Sequence, residues 1–343
     1  MKRILLPGVI VLALAIAVYF MAQKGEEKVA DLACGKVTIA EMNWASAELM
    51  ANVDKIILEK GYGCTVELVS GSTMPTFTSM NEKGAPDVAP ELWANGVAEP
   101  LKKATAEGKL IVANKAPITG LGEGWWLSPK TVKDNPELKT ALDVINRPDL
   151  FPHPEDKSKG AFIGCPAGWA CQLANANLFR AFEMEKKGWV LVDPGTGAGL
   201  DGSMSKAVDR GQNWFGYYWS PTSMIGKYKM HKLDFGVPFA GSKNWDGCIV
   251  KAEKDCANPK ASAWTKSEVN TVVTANFKKN ASVALDFVSK RVYPGEVMNG
   301  MLVYMADEQA SGKDAAYAFI EKHGNVWEKW VSPDVAKKIK SSL

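Results

Sequence analysis

The sequence predicts an α/β fold in two lobes, each a mixed or mostly parallel sheet flanked by helices. Three observations carry this. From Lys36 onward, β-type runs alternate with segments of helical apolar spacing, the pattern of parallel or mixed sheets with helices between the strands. The 343 residues suffice for two domains of ordinary size. No Gly/Ser-rich tether divides the chain, so it must pass between lobes on short crossing segments, expected near Ile111–Gly122 and Phe235–Cys248. The division expected is 31–119 plus 250–343 for one lobe and 120–249 for the other.

Each element follows from local pattern. "KVTIAEMNW", from Lys36, is a short β run. Ser46 caps a helix whose Leu49, Met50, Val53, Ile56 and Ile57 keep helical spacing, and Gly61 ends it. "CTVELVSG" is a second strand, and a β-α-β start favours parallel pairing. A helix over Thr73–Lys83, a strand over Asp87–Leu92 and a helix over Val97–Glu107 follow, then the strand "KLIVANKAPI". Asn135–Gly160, rich in Pro and Asp, holds only short helical pieces. "GAFIGC" is strand-like, "CQLANANLFRAFEME" helical and "GWVLVDPG" a strand. A helix over Leu200–Arg210 precedes the strand "NWFGYYW", and the C-terminal quarter reads as mostly helical.

Lys2 and Arg3 precede an uncharged run from Ile4 to Gln23, the pattern of a secretory signal. The run is also close to the ~20 residues that span a bilayer. Residues 1–24 are therefore expected to be a signal peptide or an N-terminal anchor. Charged "KGEEK" parts this run from Cys34, which argues against lipid modification there. Removing 1–24 takes away Lys2, Arg3 and Lys24 and brings the formal charge from +3 to neutral. A neutral chain without a long basic block argues against nucleic acid as a partner. With 46% hydrophobic and 23% charged residues, the composition is that of a globular protein and not a disordered one.

Six cysteines in an exported chain imply disulfides. Cys165–Cys171 and Cys248–Cys256 are close neighbours. Cys34 and Cys64 each stand just before a strand, so parallel pairing of those strands brings them together. The spacing of Cys165 and Cys171 is not the Cys-x-x-Cys of a thiol oxidoreductase. A lone pair also cannot build a zinc site. "GCPAGWACQ", residues 164–172, thus reads as a covalent clip around a Gly-Trp pair.

Little suggests catalysis. His153, His231 and His323 are far apart, and none falls in a cluster with metal-ligand spacing. No GxSxG, P-loop or HExxH string occurs. "DPGTGAGLDG", residues 193–202, suits a plain strand-to-helix turn or an anion site at a helix start, and fits no dinucleotide pattern. No catalytic residue, metal or cofactor is expected.

Twelve tryptophans remain to be explained. Trp189, Trp214, Trp264, Trp327 and Trp330 sit in regular elements and read as core. Trp44 and Trp93 each end a strand before a helix, Trp219 ends a strand before Ser-Pro, and Trp169 is held in the cysteine loop. Ligands of open α/β sheets bind at the carboxyl ends of strands. Indole faces attract cations, by ~0.5–2 kcal/mol each, and aromatic boxes are favoured receptors for quaternary ammonium. These four indoles are either the walls of one pocket or ordinary core.

The set "GCPAGWAC", "ELWANG" and "YYWSPT" behind an export signal resembles the periplasmic glycine betaine/proline betaine-binding proteins of ABC importers, over essentially the whole mature chain. The resemblance implies a two-lobed, type II-like periplasmic binding protein with its ligand in the cleft and no chemistry of its own. It implies that Trp93, Trp169 and Trp219 form an ammonium cage, that Trp44 adds a wall, and that the backbone N–H groups of Ala170 and Cys171 hold a carboxylate. Glu91 would meet a ligand hydroxyl, sit near the cation, or serve the structure. One departure stands out: a branch of the family has a histidine four residues after the first cage tryptophan, and here that position is Val97. The expected role is capture of a small methylated onium osmolyte and delivery to an ABC permease. Glycine betaine leads, followed by trimethylamine N-oxide, dimethylsulfoniopropionate, choline and proline betaine. The chain is expected in the periplasm as a monomer, free or tethered to the inner membrane by an uncleaved N-terminal segment. The rival readings are an exported enzyme acting on a quaternary amine and a membrane-anchored osmolyte-sensing module.

Overall fold

The computed structural model describes residues 34–343, so the signal or anchor expected over 1–24 and the first lobe's start at 31 lie outside the described residues. Strand β1 (Lys36–Met42) pairs in parallel with β2 (Thr65–Gly71) along its whole length, Lys36 opposite Thr65 and Met42 opposite Gly71. Helix α1 (Ala45–Ile56) makes the connection. This register carries Cys34 and Cys64 to adjacent strand starts, where they form a disulfide with Cα atoms 4.5 Å apart. Strand β3 (Val88–Trp93), buried at every residue, runs parallel to β1 on its other side.

The sheet is completed by β4 (Leu110–Asn114) and by β10 (Val269–Thr274), in the order β2-β1-β3-β10-β4. Strand β10 is antiparallel to both of its neighbours. The C-terminal quarter is mostly helical, as expected, and β10 is the strand within it that the sequence pattern passed over. "VNTVVT" is a short β-branched run, buried on both faces because it slots between two strands made far earlier in the chain.

The second sheet has the order β7-β6-β8-β5-β9, from β5 (Gly122–Leu127), β6 (Gly160–Ile163), β7 (Trp189–Val192), β8 (Phe215–Ser220) and β9 (His231–Lys232). Strand β6 is parallel to β7 and β8, whereas β5 is antiparallel to β8 and β9. The sequence pattern passed over β5, since Gly122 and Gly124 in "GEGWWL" carry loop signals. Gly124 has φ +153°, which a side chain rarely adopts.

Beyond Phe235–Cys248 the chain is still bonded to a helix of the second sheet. The Asn177 amide, on a helix of the second sheet, donates to the carbonyls of Ile249 and Lys251, and Arg180 donates to that of Cys256. Only at Lys266 and Glu268 does the chain bond to Asn95 beside β3.

One core surrounds the second sheet and reaches the β1 and β3 ends of the first. At its centre Trp125 packs among Phe162, Phe215 and Phe235, with ring centroids 4.8, 5.7 and 4.9 Å away. A second core lies between the first sheet and the C-terminal helices, around Phe287, Phe319, Trp327 and Trp330. The Cys165–Cys171 and Cys248–Cys256 bridges are present as expected. No helix among the described residues is long and apolar enough to cross a membrane.

Candidate functional site

Four strand ends and helix starts converge on one cavity. Trp44 follows the end of β1 and caps α1 in an extended conformation. Trp93 is the last residue of β3, and Trp219 lies one before the end of β8. Trp169 follows β6 and caps helix α2 (Ala170–Ala181). The cavity is lined by these four indoles together with Thr73, Glu123, Ala170, Cys171 and Tyr217. The space among them is about 300 Å³, the open solvent at its mouth included.

The rings meet edge to face, the arrangement their quadrupoles favour. Trp169 stands 5.3 Å from Trp44 at 71° and 5.0 Å from Trp219 at 83°. All four indoles are less than a tenth exposed.

Trp44 and Trp93 share a single anchor. One oxygen of Glu91, Oε1, accepts hydrogen bonds from the Trp44 indole (2.8 Å), the Trp93 indole (2.8 Å) and the Ser46 hydroxyl (3.0 Å). Glu91 is fully buried and stands behind the walls instead of lining the cavity. Burial pushes its carboxyl up to about 7, against the pull of these donors.

The second sheet works through register. Glu123 lies directly opposite Trp219 in the β5–β8 ladder, so their side chains share a face, and Tyr217, two residues on, shares it too. Glu123 Oε1 accepts from the Tyr217 hydroxyl at 2.9 Å, while its Oε2 is buried without a partner. Burial raises this carboxyl to about 7 as well, and burial with the adjacent Glu123 raises the Tyr217 hydroxyl well above its ordinary value.

The cysteine loop brings Trp169 and the first turn of α2. Gly168 has φ +82°, a left-handed conformation that explains the Gly before the Trp. The Trp169 indole donates to Asn43 Oδ1 at 2.9 Å, and the Met74 N–H donates to the Gly168 carbonyl at 3.1 Å, so the loop leans on the first sheet's segments. Gly96 makes this approach possible, because a Cβ there would stand 2.3 Å from that of Ala170.

The first N–H groups of a helix have no acceptor within it. Trp169 supplies no side-chain cap to α2, and Ser72 supplies none to the helix Thr73–Lys83. Ala170 and Cys171 open α2 and Thr73 opens the other helix, so two helix starts border the cavity. Indole faces and helix starts together line the enclosure.

The structure brings Trp44, Trp93, Trp169, Trp219, Ala170 and Cys171 to one cavity. Sequence reasoning missed Thr73, Glu123 and Tyr217. Glu123 left one signal, a carboxylate in an otherwise uncharged "GLGEGWWL", and Tyr217 another, its alternation with Trp219. Val97, at the histidine position of the family branch, is buried and apart from the cavity. Among the described residues, no group of three or more His, Cys, Asp or Glu is placed to hold a metal ion.

Residues 35–322 match the family described as the substrate binding domain of ABC-type glycine betaine transport system. Among solved structures, one similar fold is the glycine betaine, L-proline ABC transporter binding protein (ProX) from Borrelia burgdorferi, at 17% identity and TM-score 0.68, covering 89% of this chain and 99% of that one. An ABC-transporter choline binding protein in complex with choline is similar at 16% identity and TM-score 0.68, covering 90% and 98%. Lactococcal OpuAC, closed and complexed with glycine betaine, is similar at 19% identity and TM-score 0.63, covering 87% and 100%. These likenesses show the two-lobed binding-protein fold. A search of curated proteins finds no match.

Proposed function

We propose that this chain, which belongs to the family of substrate-binding domains of ABC-type glycine betaine transport systems, captures a small methylated onium osmolyte in its tryptophan cage and delivers it to the permease. The observation that carries this reading is the meeting of four indoles, from four separate segments, around one small cavity. Indole faces bind methylated cations at ~0.5–2 kcal/mol each when water is excluded. The cage is uncharged on that side except for Glu123, beside Trp219.

Glycine betaine leads because it carries both a methylated cation, which suits indole faces, and a carboxylate, which suits the helix starts bordering the cavity. The trimethylammonium group lies among Trp44, Trp93, Trp169 and Trp219. The carboxylate lies on the N–H groups of Ala170 and Cys171, beside Thr73. Trimethylamine N-oxide, dimethylsulfoniopropionate, choline and proline betaine stay in the class. Glu123 ranks them by its protonation: as an acid it donates a hydrogen bond to an oxide or carboxylate, and as an anion it favours a cation such as choline.

In this reading 31–119 with 250–343 and 120–249 are lobes that close on the solute by a hinge motion, with residues 250–257 bonded to the second. The chain works as a monomer in the periplasm, after loss of residues 1–24 or held by them. A calorimetric titration of the folded chain against these five solutes tests the proposal. Micromolar binding of at least one is the expected result, and no micromolar binder among them sinks it.

A further inference from the structure

We infer that Glu91 is the positioning residue of the aromatic site: its single oxygen Oε1, shared by the Trp44 and Trp93 indoles, sets the angle between two walls of the cage without touching the solute. This rests on the onium reading of the cavity. An indole pinned only by packing can rotate about its ring torsion, which is a broad one. Two indoles whose N–H groups end on the same buried atom lose that freedom together, at 2.8 Å each. A carboxyl oxygen suits the task, since it accepts from both indoles and from Ser46 at once.

The fork is itself held from behind. Arg291, fully buried, pairs with Asp54 at 3.0 Å. It also donates to the Pro90 carbonyl at 3.3 Å and to Thr271 Oγ1 at 2.9 Å, while the Thr271 hydroxyl donates to the same Pro90 carbonyl at 2.9 Å. Pro90 immediately precedes Glu91, so the strand is pinned where the fork begins. Asp54 lies on α1, the helix whose start carries Trp44 and Ser46. Helix α1 is thus clipped to β3 at both ends, by Trp44 and Ser46 on Glu91 and by Asp54 through Arg291 on Pro90. Rotating Trp44 or Trp93 requires breaking a clip and not merely repacking a side chain.

The test uses E91Q, which keeps the shape and lowers the acceptor strength, and E91D, which keeps the charge but shortens the reach. Proton–nitrogen correlation spectra of the chain without solute read the indole N–H signals, with W44F and W93F assigning two of them. In both variants the Trp44 and Trp93 signals should move. Those of Trp189 and Trp327, bonded to the Ile145 and Ile320 carbonyls, should stay. Titration with glycine betaine and with tetramethylammonium should show affinity lowered about tenfold or more, the size of one cation–π contact. The thermal midpoint, by contrast, should move little in E91Q. Unmoved indole signals, or moved signals with affinity kept within about twofold, overturn the inference. If the wild-type chain binds neither these two nor trimethylamine N-oxide, dimethylsulfoniopropionate, choline or proline betaine, the onium reading falls, and the indole signals alone decide the fork, supporting it if they move and overturning it if they do not. If E91Q fails to fold, E91D carries the same test.

Discussion

The two halves of the tryptophan-lined cavity are built on different principles. The first sheet's indoles, Trp44 and Trp93, hang from one buried carboxylate oxygen, a polar fork whose members are two and forty-seven positions from Glu91 in sequence. The second sheet's half uses a covalent loop for Trp169 and ladder register for Trp219, Tyr217 and Glu123. A disulfide between residues six apart limits its loop whatever the rest of the chain does. A fork exists only once α1 and β3 have packed. Trp169 bridges the two halves through its bond to Asn43.

That contrast can be broken at three points. The largest effect belongs to Trp169, the ring that touches both halves. W169A should abolish measurable binding of glycine betaine by calorimetry, with circular dichroism unchanged in the far ultraviolet. Affinity retained within about threefold would remove the loop from the site, because even one lost cation–π face is worth more than that when dry. Next comes the clip. C165S with C171S should lower affinity about tenfold by freeing Trp169 and the N–H groups of Ala170 and Cys171, while the midpoint of unfolding falls only as a short-loop bridge implies. A larger loss of stability than of affinity would make the bridge merely structural.

The smallest effect is a pH slope in stability, and it separates the halves by charge. Burial raises Glu91 in the first half and Glu123 in the second to about 7 from an ordinary value of 4.5. The folded state therefore keeps protons that the unfolded state has already released. Their contribution to stability is complete below about pH 4 and is lost as pH rises through about 7, with the steepest change between. Urea unfolding at pH 5 and pH 8 should show lower stability at pH 8, by on the order of 1 kcal/mol or more. E123Q should flatten part of the slope and leave the share due to Glu91. A stability that rises from pH 5 to pH 8 would contradict the burial of these groups.

Much of the fold was legible because it is written in local period and spacing. The β1–α1–β2 start, the Cys34–Cys64 pairing and the helices over 73–83 and 170–181 all follow from runs a dozen residues long. The position of the four indoles at strand ends and helix starts was legible for the same reason. Strand β10 was not, since six β-branched and polar residues before a helix carry no sign that β3 and β4 stand apart to receive them. Strand β5 was hidden by its own glycines, which serve close packing against Lys232 and Ser220 and not a turn.

The sequence by itself determined the alternation that makes two α/β sheets, the three disulfides, and the set of aromatic side chains placed where such sheets bind ligands. Only the tertiary structure decided that Glu91 stands behind the cage as a shared acceptor and that Glu123 and Tyr217 line it. It also decided that the loop bearing Trp169 leans on Asn43 and Gly96. Periodicity reports which face of an element is apolar, but a hydrogen bond between segments forty-seven or ninety-four residues apart leaves no period in the chain.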